Sequence, residues 1–354
     1  MRASEALRPF LDDIAARAAA IDATASFPAE DVALLAKLKL PMASLPRSFG
    51  GQGLGTEPEG AAEILTLLRL LGRGNLSLGR LFEAHVNVVR LVHRYGTGRH
   101  MLAVAAAAAT GHLFGLWVTD APNQVLRRRD GILDGRKGPG SGAGHLRHAL
   151  VTVSEDEAVR MALVELRGDE PVQPIGTRLL GMRASTNGTV TFDGMTLPAE
   201  ALLGEDGDYL REPDLSTGAW RGMAVALGGL DALLQAVRTQ LVAKRHADAP
   251  LQQERFGHML IAHGTAELWT RHAAAIAEAG TAPVADQVAA VNLARIAVEM
   301  AGLDLMRHAQ RALGLGALVQ PNPVERLLRD LATYLRQPAP DDVLLTAARH
   351  GLFS

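Results

Sequence analysis

Residues 306–352, MRHAQRALGLGALVQPNPVERLLRDLATYLRQPAPDDVLLTAARHGL, decide how this chain is read. A glycine break at Gly314 and Gly316 follows a helical run and lets the backbone approach a ligand closely. Pro323 suits the first turn of a helix. Glu325, Arg326, Arg329 and Asp330 then place charge along that helix, and arginines there can meet anionic groups bidentately. The segment Gln337-Pro338-Ala339-Pro340-Asp341-Asp342 interrupts the helix and makes an acidic entry to a last short one. The two aspartates read either as a carboxylate base or as a helix cap.

Upstream, the helices expected at about 216–246, 251–280 and 284–313 are rich in Ala, Leu, Arg and Glu, with few breakers. Residues 111 to about 205 differ. HLFGLWVTD, GILDG, HALVTVS, VRMALVELR and GTVTFDGMTLP are short, rich in β-formers and separated by Gly and Asp turns, so an antiparallel β domain is predicted. Residues 1 to about 110 are helical again. Leu7, Phe10, Leu11, Ile14 and Ala18 share one face, Thr56 and Glu59 read as a capping box, and Asn75–Tyr95 is an amphipathic helix stopped by Gly96. The fold class is therefore α+β in three parts: a helical domain over 1–110, a β domain over 111–212 and a helical bundle over 213–354.

The 354 residues are 48% hydrophobic, enough for a large core. A net charge of −2, from 36 basic and 38 acidic residues, implies no general attraction to nucleic acid or anionic membrane. With no cysteine, disulfides, thiolate metal sites and cysteine nucleophiles are excluded. No metal site is expected. The N-terminus lacks the pattern of a signal peptide, and the run at Met101–Thr110 is too short to span a bilayer. A soluble, cytoplasmic protein is expected. The loop LPRSFGGQGLG (45–55) has no leading strand and no phosphate-loop lysine, so it is a poor dinucleotide fingerprint.

The run Gln310, Gly314, Gly316 followed by PVERLLRD resembles the C-terminal signature of the acyl-CoA dehydrogenase family, with Leu313 where one glycine would stand. Leu116-Trp117-Val118-Thr119-Asp120 resembles its Tyr-x-Val-Thr-Glu, and GRKGPGSGAG (135–144) resembles its Gly-x-Lys-x-Trp-Ile-Thr-Asn-Gly. Gly181-Met182-Arg183-Ala184-Ser185 resembles its Gly-x-Arg-x-Ser. Helices, β domain and bundle come in the family's order.

The resemblance implies bound FAD, with FMN as the alternative. Trp117, Val118, Thr119 and Ser141 would face the flavin ring, and Gln310, Gly314 and Gly316 its ADP half. Arg255, beside Phe256-Gly257, stands two positions from the family's pyrophosphate arginine, which would here be Gln253. Arg255 either does that work or pairs with Glu254. A homodimer or homotetramer is implied, since family members place part of each flavin site on a neighbouring subunit.

The family's catalytic glutamate falls on Pro338, and its alternative position falls at Trp220. Neither is a base. Asp341 and Asp342 are the candidates for a displaced one. In the monooxygenase branch the corresponding segment resembles Asp-Pro-x-Asp, which Ala339-Pro340-Asp341-Asp342 approaches, and His85 resembles a histidine that faces the flavin there. The usual Gly-Ser-Asp toward CoA is missing, and Arg127, Arg128 and Arg129 stand nearby as a phosphate-binding triad or a solvated loop.

The implied function is an FAD-dependent oxidoreductase acting on an acyl-thioester or related small substrate. The alternatives are a flavin-dependent monooxygenase served by a flavin reductase or other electron-transfer partner, and a catalytically silent member.

Overall fold

The computed structural model describes residues 2–336 and 338–354; Gln337, the first residue of the acidic segment, lies outside the described residues. The N-terminal part contains α1 (Ala3–Leu7), α2 (Leu11–Thr24), α3 (Ala29–Lys37), α4 (Leu40–Ala43), α5 (Ala61–Gly74), α6 (Leu76–Tyr95) and α7 (Gly98–Ala109). Asn75 starts α6 by accepting the Ser77 N–H at 2.9 Å. The expected capping box before α5 does not form. Thr56 Oγ1 donates instead to the Ser44 carbonyl at 3.1 Å, and α5 begins beyond it without a side-chain cap.

The strands are β1 (Phe114–Trp117), β2 (Arg127–Arg129), β3 (Ile132–Asp134), β4 (Arg136–Gly140), β5 (His148–Glu155), β6 (Ala158–Glu165), β7 (Val172–Pro174), β8 (Gly188–Thr191) and β9 (Leu202–Leu203). They form two sheets, one ordered β3-β2-β5-β6-β9 with β1 also on β5, the other β4-β8-β7. The larger sheet is mixed, not purely antiparallel. β1 pairs in parallel with β5, Phe114 opposite His148 through Trp117 opposite Val151. The long excursion between them brings the chain back in its original direction, as a parallel pair requires.

The arginine triad is itself β2, which pairs with β3. Arg128 forms an ion pair with Glu155 and donates to the Leu197 carbonyl at 2.9 Å, so it is committed to the β domain.

The C-terminal part holds α8 (Asp214–Thr217), α9 (Ala219–Ala243), α10 (Pro250–Ala279), α11 (Val284–Leu313), α12 (Pro323–Tyr334) and α13 (Pro340–Phe353). The α5 face carrying Ile64, Leu67, Leu68 and Leu71 is fully buried, each such side chain worth about 1.5–3 kcal/mol of burial. α5 meets α9 backbone to backbone. A Cβ at Gly72 would collide with the Val225 carbonyl and one at Gly228 with the Arg69 carbonyl.

A second apolar cluster joins Val88, Val89 and Val92 of α6 and Val104 of α7 to Phe114, Leu150 and Met161 of the larger sheet. α6 therefore has one face on the sheet. Its other face looks toward α9 and the junction of all three parts. Among the described residues, no helix is long and apolar enough to cross a membrane.

Candidate functional site

At that junction lies a cleft of about 270 Å³. Its walls are α6, Leu116 of β1, Tyr209, the α8–α9 corner and Pro338. Arg80, Glu83, Asn87, Arg90 and Arg94 line it from α6. Their spacing of three and four residues puts them on one helical face, opposite the valines packed on the sheet.

The side chains form a continuous chain of charge. Arg80 is paired with Glu83, and Asn87 Nδ2 donates to Glu83 Oε1 at 2.5 Å. Arg221, near the start of α9, donates from Nη1 to Asn87 Oδ1 at 3.0 Å and from Nη2 to Glu278 Oε1 at 2.8 Å. Arg90 reaches the other oxygen of Glu278 at 2.8 Å, and Trp220 Nε1 donates to Glu278 Oε1 at 3.0 Å. Toward the mouth, Arg94 and the Tyr95 hydroxyl share Asp214 Oδ2, at 3.3 and 2.7 Å.

Two guanidinium groups thus share one carboxylate. Arg221 is 2% exposed. Burial, then the charge of Arg90, hold its pKa down to about 10 against the pull of Glu278. Burial pushes Glu278 upward, but Arg221 and Arg90 outweigh it and the carboxyl lies below its ordinary range. Arg221 Nε is buried without a hydrogen-bond partner. Tyr334, buried within reach of the Glu83 charge, has its phenol pushed upward by burial and then by that charge.

Of the residues expected at the flavin ring, Trp117 follows the cleft-lining Leu116 on β1 and meets Ser141, but none of Trp117, Val118, Thr119 and Ser141 lines the cleft itself. Trp117 is buried and donates from Nε1 to the Ser141 carbonyl at 2.9 Å. Its indole occupies the space that a Cβ on Gly115 or Gly140 would fill. The Thr119 carbonyl accepts the Gly138 N–H at 2.9 Å. Thr119 is exposed, and its hydroxyl has no partner among the described residues. Ser141 Oγ donates to Asn187 Oδ1 at 3.0 Å. Lys137 lies beneath, 1% exposed, with Nζ on Asp120 at 2.6 Å, Thr152 at 2.8 Å and the Val118 carbonyl at 3.2 Å. It braces the loop that carries Val118 and Thr119.

The residues expected at the ADP half meet at one end of the bundle. Gln252 Nε2 donates to the Ala312 carbonyl at 3.0 Å, which joins the start of α10, with Arg255, to the end of α11, with Gln310. Gly314 ends α11 at φ 62°, a conformation that favours glycine. Open space surrounds the Cβ positions of Gly314 and Gly316. Arg255 pairs with neither Glu254 nor any other described residue. Among the described residues, no hydrogen bond or ion pair links this group to the one at Thr119 and Ser141.

Asp341 and Asp342 are exposed in the first turn of α13, whose cap position is Ala339. There they favour the helix dipole, and neither lines the cleft. His85 is fully buried. Its Nε2 lies 3.0 Å from Ser44 Oγ and 2.9 Å from the Pro41 carbonyl, and its Nδ1 accepts the Phe114 N–H at 3.3 Å. Burial lowers its pKa to about 4. A neutral histidine with both nitrogens occupied is a core residue, so the geometry does not bring His85 to the cleft. Sequence reasoning missed Glu83, Asn87, Arg90, Arg221 and Glu278. The available signal was Glu278 inside the alanine run AAAIAEA, an acid on a face otherwise fit for packing.

Helices, sheets and bundle meeting at a charged cleft define a class: a three-part α+β protein with a cleft at its junction. Residues 2–111 match the acyl-CoA dehydrogenase N-terminal domain. The chain is 27% identical over 346 residues to the cyclohex-1-ene-1-carbonyl-CoA dehydrogenase of Geobacter metallireducens, covering 90% of this chain and 88% of that one. The butyryl-CoA dehydrogenase of Megasphaera elsdenii superposes with a TM-score of 0.86 at 16% identity, covering 99% and 97% of the two chains. KijD3 in complex with FMN and dTDP-3-amino-2,3,6-trideoxy-4-keto-3-methyl-D-glucose gives 0.84 at 20% identity, covering 99% and 93%. Residues 2–111 are thus similar to the acyl-CoA dehydrogenase N-terminal domain, and the whole chain has the acyl-CoA dehydrogenase fold.

Proposed function

We propose that this chain is an FAD-dependent oxidoreductase of acyl-CoA dehydrogenase type that handles a small substrate without the family's carboxylate base. The residues present fit a flavin. Thr119 has an uncommitted hydroxyl beside Trp117, Val118 and Ser141, while Arg255, Gln310, Gly314 and Gly316 leave charge, amide and space uncommitted at the bundle end. With no bond joining the two groups in one chain, a homodimer or homotetramer in which a neighbour completes each site is the arrangement we favour. Flavin, when bound, supplies two-electron redox chemistry.

The chain's own residues orient and neutralise. Arg80 and Asn87 hold Glu83, and Arg94 and Tyr95 hold Asp214, so neither carboxylate lining the cleft is a free base. Pro338 stands at the rim and Trp220 is committed to Glu278. No catalytic role is assigned to Asp341, Asp342 or His85. The observation that carries the proposal is the cleft at the meeting of the three parts, with Leu116 of β1 in its wall and Trp117, next in the chain, bonded to Ser141. The test is the absorption spectrum of the purified protein with the mass of its extracted cofactor. Bound flavin is expected; its absence overturns the proposal.

A second reading is oxygenase chemistry with reduced flavin, O₂ and a reductase partner. It is favoured by the lack of a free carboxylate in the cleft and by the likeness to KijD3, whose structure holds FMN and a dTDP-linked sugar. Oxygen-dependent turnover after chemical reduction supports it. Anaerobic bleaching of the flavin by butyryl-CoA supports dehydrogenation instead.

A further inference from the structure

The cleft has an apolar side as well as a charged one: Leu91, Leu116, Leu215 and Ala219 share its wall with the ion pairs. Tyr209 belongs to both. It packs against the second apolar cluster, as Leu91 and Leu116 do, while its phenol feels the charges of Arg80 and Glu83. The turn Asp208–Leu210 that carries it is pinned at two points. The Gly207 N–H donates to the Val159 carbonyl at 3.0 Å, and the Glu205 N–H donates to Asp208 Oδ2 at 2.7 Å. The Tyr209 hydroxyl bonds no described residue and is not sealed from solvent.

The other polar side chains of the wall are committed. Arg80 is held by Glu83, Arg90 and Arg221 by Glu278, and Arg94 by Asp214. Asn87 bonds Glu83 and Arg221. Among the described residues, Tyr209 is thus the one polar side chain lining the cleft with neither a hydrogen bond nor an ion pair. Burial pushes its pKa above the ordinary phenol value, against Arg80 and with Glu83, so near neutral pH it offers an O–H. A carbonyl oxygen accepts that bond without bringing a donor that the committed neighbours would leave unmet. We infer that Tyr209 is a specificity residue: its hydroxyl donates to a carbonyl oxygen of the substrate, whose carbon chain lies along the leucines. This rests on the oxidoreductase proposal and names the substrate class for the same cleft, a carbonyl compound with a short apolar chain. At about 270 Å³ the cleft lies near the lower bound for small-molecule sites.

Calorimetric titration of the purified full-length protein tests the inference without relying on flavin colour or turnover. The probes are acetyl-CoA, S-ethyl-CoA and S-butyl-CoA. The first two differ only in the carbonyl oxygen, and none can lose hydrogen across an acyl α–β bond. The wild type is expected to bind acetyl-CoA about three- to tenfold more tightly than S-ethyl-CoA, the net worth of one hydrogen bond. S-butyl-CoA is expected to bind more tightly than S-ethyl-CoA by about fourfold per added methylene.

Tyr209→Phe keeps the ring in the apolar cluster and removes only the donor. It is expected to bring acetyl-CoA down to the affinity of S-ethyl-CoA and to leave both thioethers as in the wild type. A tyrosine that merely held structure would shift all three ligands together. The chain has only 3 tyrosines, so fluorotyrosine labelling resolves them by fluorine NMR. The signal lost in Tyr209→Phe is expected to move further with acetyl-CoA than with S-ethyl-CoA. An undiminished preference for acetyl-CoA in Tyr209→Phe overturns the inference. So does a wild type that binds none of the three, that does not distinguish acetyl from S-ethyl, or that gains nothing from the longer thioether. A flavin-free protein with the expected titrations would sink the oxidoreductase proposal alone. A flavoprotein without the carbonyl preference would sink this inference alone.

Discussion

Two arginine networks cross α9, and they are built oppositely. On its outer face, Arg69 bonds Asp231 through Nε and Nη2 at 2.6 and 2.8 Å and reaches Glu267 at 3.1 Å. His263 and Arg271 complete that set. Arg69 has two carboxylates, and hydrogen bonding to Asp231 raises its pKa despite burial. At the inner end, Arg221 and Arg90 share Glu278, and burial lowers the pKa of Arg221. Identical residue types thus give a saturated brace in one place and an unsatisfied donor in the other. A saturated network contributes its full set of bonds to stability, whereas one with a buried donor left over carries an unrecovered desolvation cost.

The comparison breaks most visibly at Glu278. Glu278→Ala leaves two buried or half-buried guanidinium groups facing each other and should cost about 3–5 kcal/mol in urea unfolding. A loss below about 1 kcal/mol, the range of exposed pairs, would mean that the inner network is solvated.

His85 provides a third, fully saturated case and a pH signature. Its pKa falls from 6.5 to about 4 on folding, so the unfolded chain takes up the proton first. Its contribution is therefore complete above about pH 6.5 and is lost as the pH falls toward 4, by about 3 kcal/mol. His145 and His148 are also shifted down, each first by burial, so the smaller slope expected in His85→Gln assigns the share that belongs to His85.

On the outer network, Asp231→Asn removes the charge that Arg69 and His263 share. It should cost about 1.5–3 kcal/mol, the worth of hydrogen bonds to a charged group, and leave ligand binding in the cleft unchanged. Altered binding would show that the two networks are not separate. The smallest stability effect is expected for Thr119→Val, an exposed position, within about 0.5 kcal/mol. Its readout is weaker flavin retention on dialysis.

The helical parts were legible because apolar periodicity and alanine content set them locally: α10 and α11 run within a residue of the expected spans. β2, β4 and β7 were not recognised as strands, being short and rich in Arg, Gly or Pro, nor was β9, which has only two residues. Their pairing is fixed by partners distant in sequence. The parallel β1–β5 pair was hidden for the same reason. Among site residues, the groups at Thr119 and Ser141 and at Arg255 and Gln310 could be quoted from resemblance. The inner network could not. Arg80, Arg221 and Glu278 come from three helices, and each alone looks like part of a solvated face. His85 shows the reverse: the resemblance drew attention to a side chain whose neighbours Ser44, Pro41 and Phe114 had already committed both nitrogens.

The bare contact between α5 and α9 at Gly72 and Gly228 bears on the cleft from a distance. With no side chains between the two backbones, nothing compressible absorbs an added methyl group, so the helices would have to translate. Gly228 lies two turns, about 10 Å, along α9 from Arg221. Gly228→Ala would thus displace Arg221 in the cleft wall, which makes a hidden interior glycine a remote adjuster of the shape of the cleft.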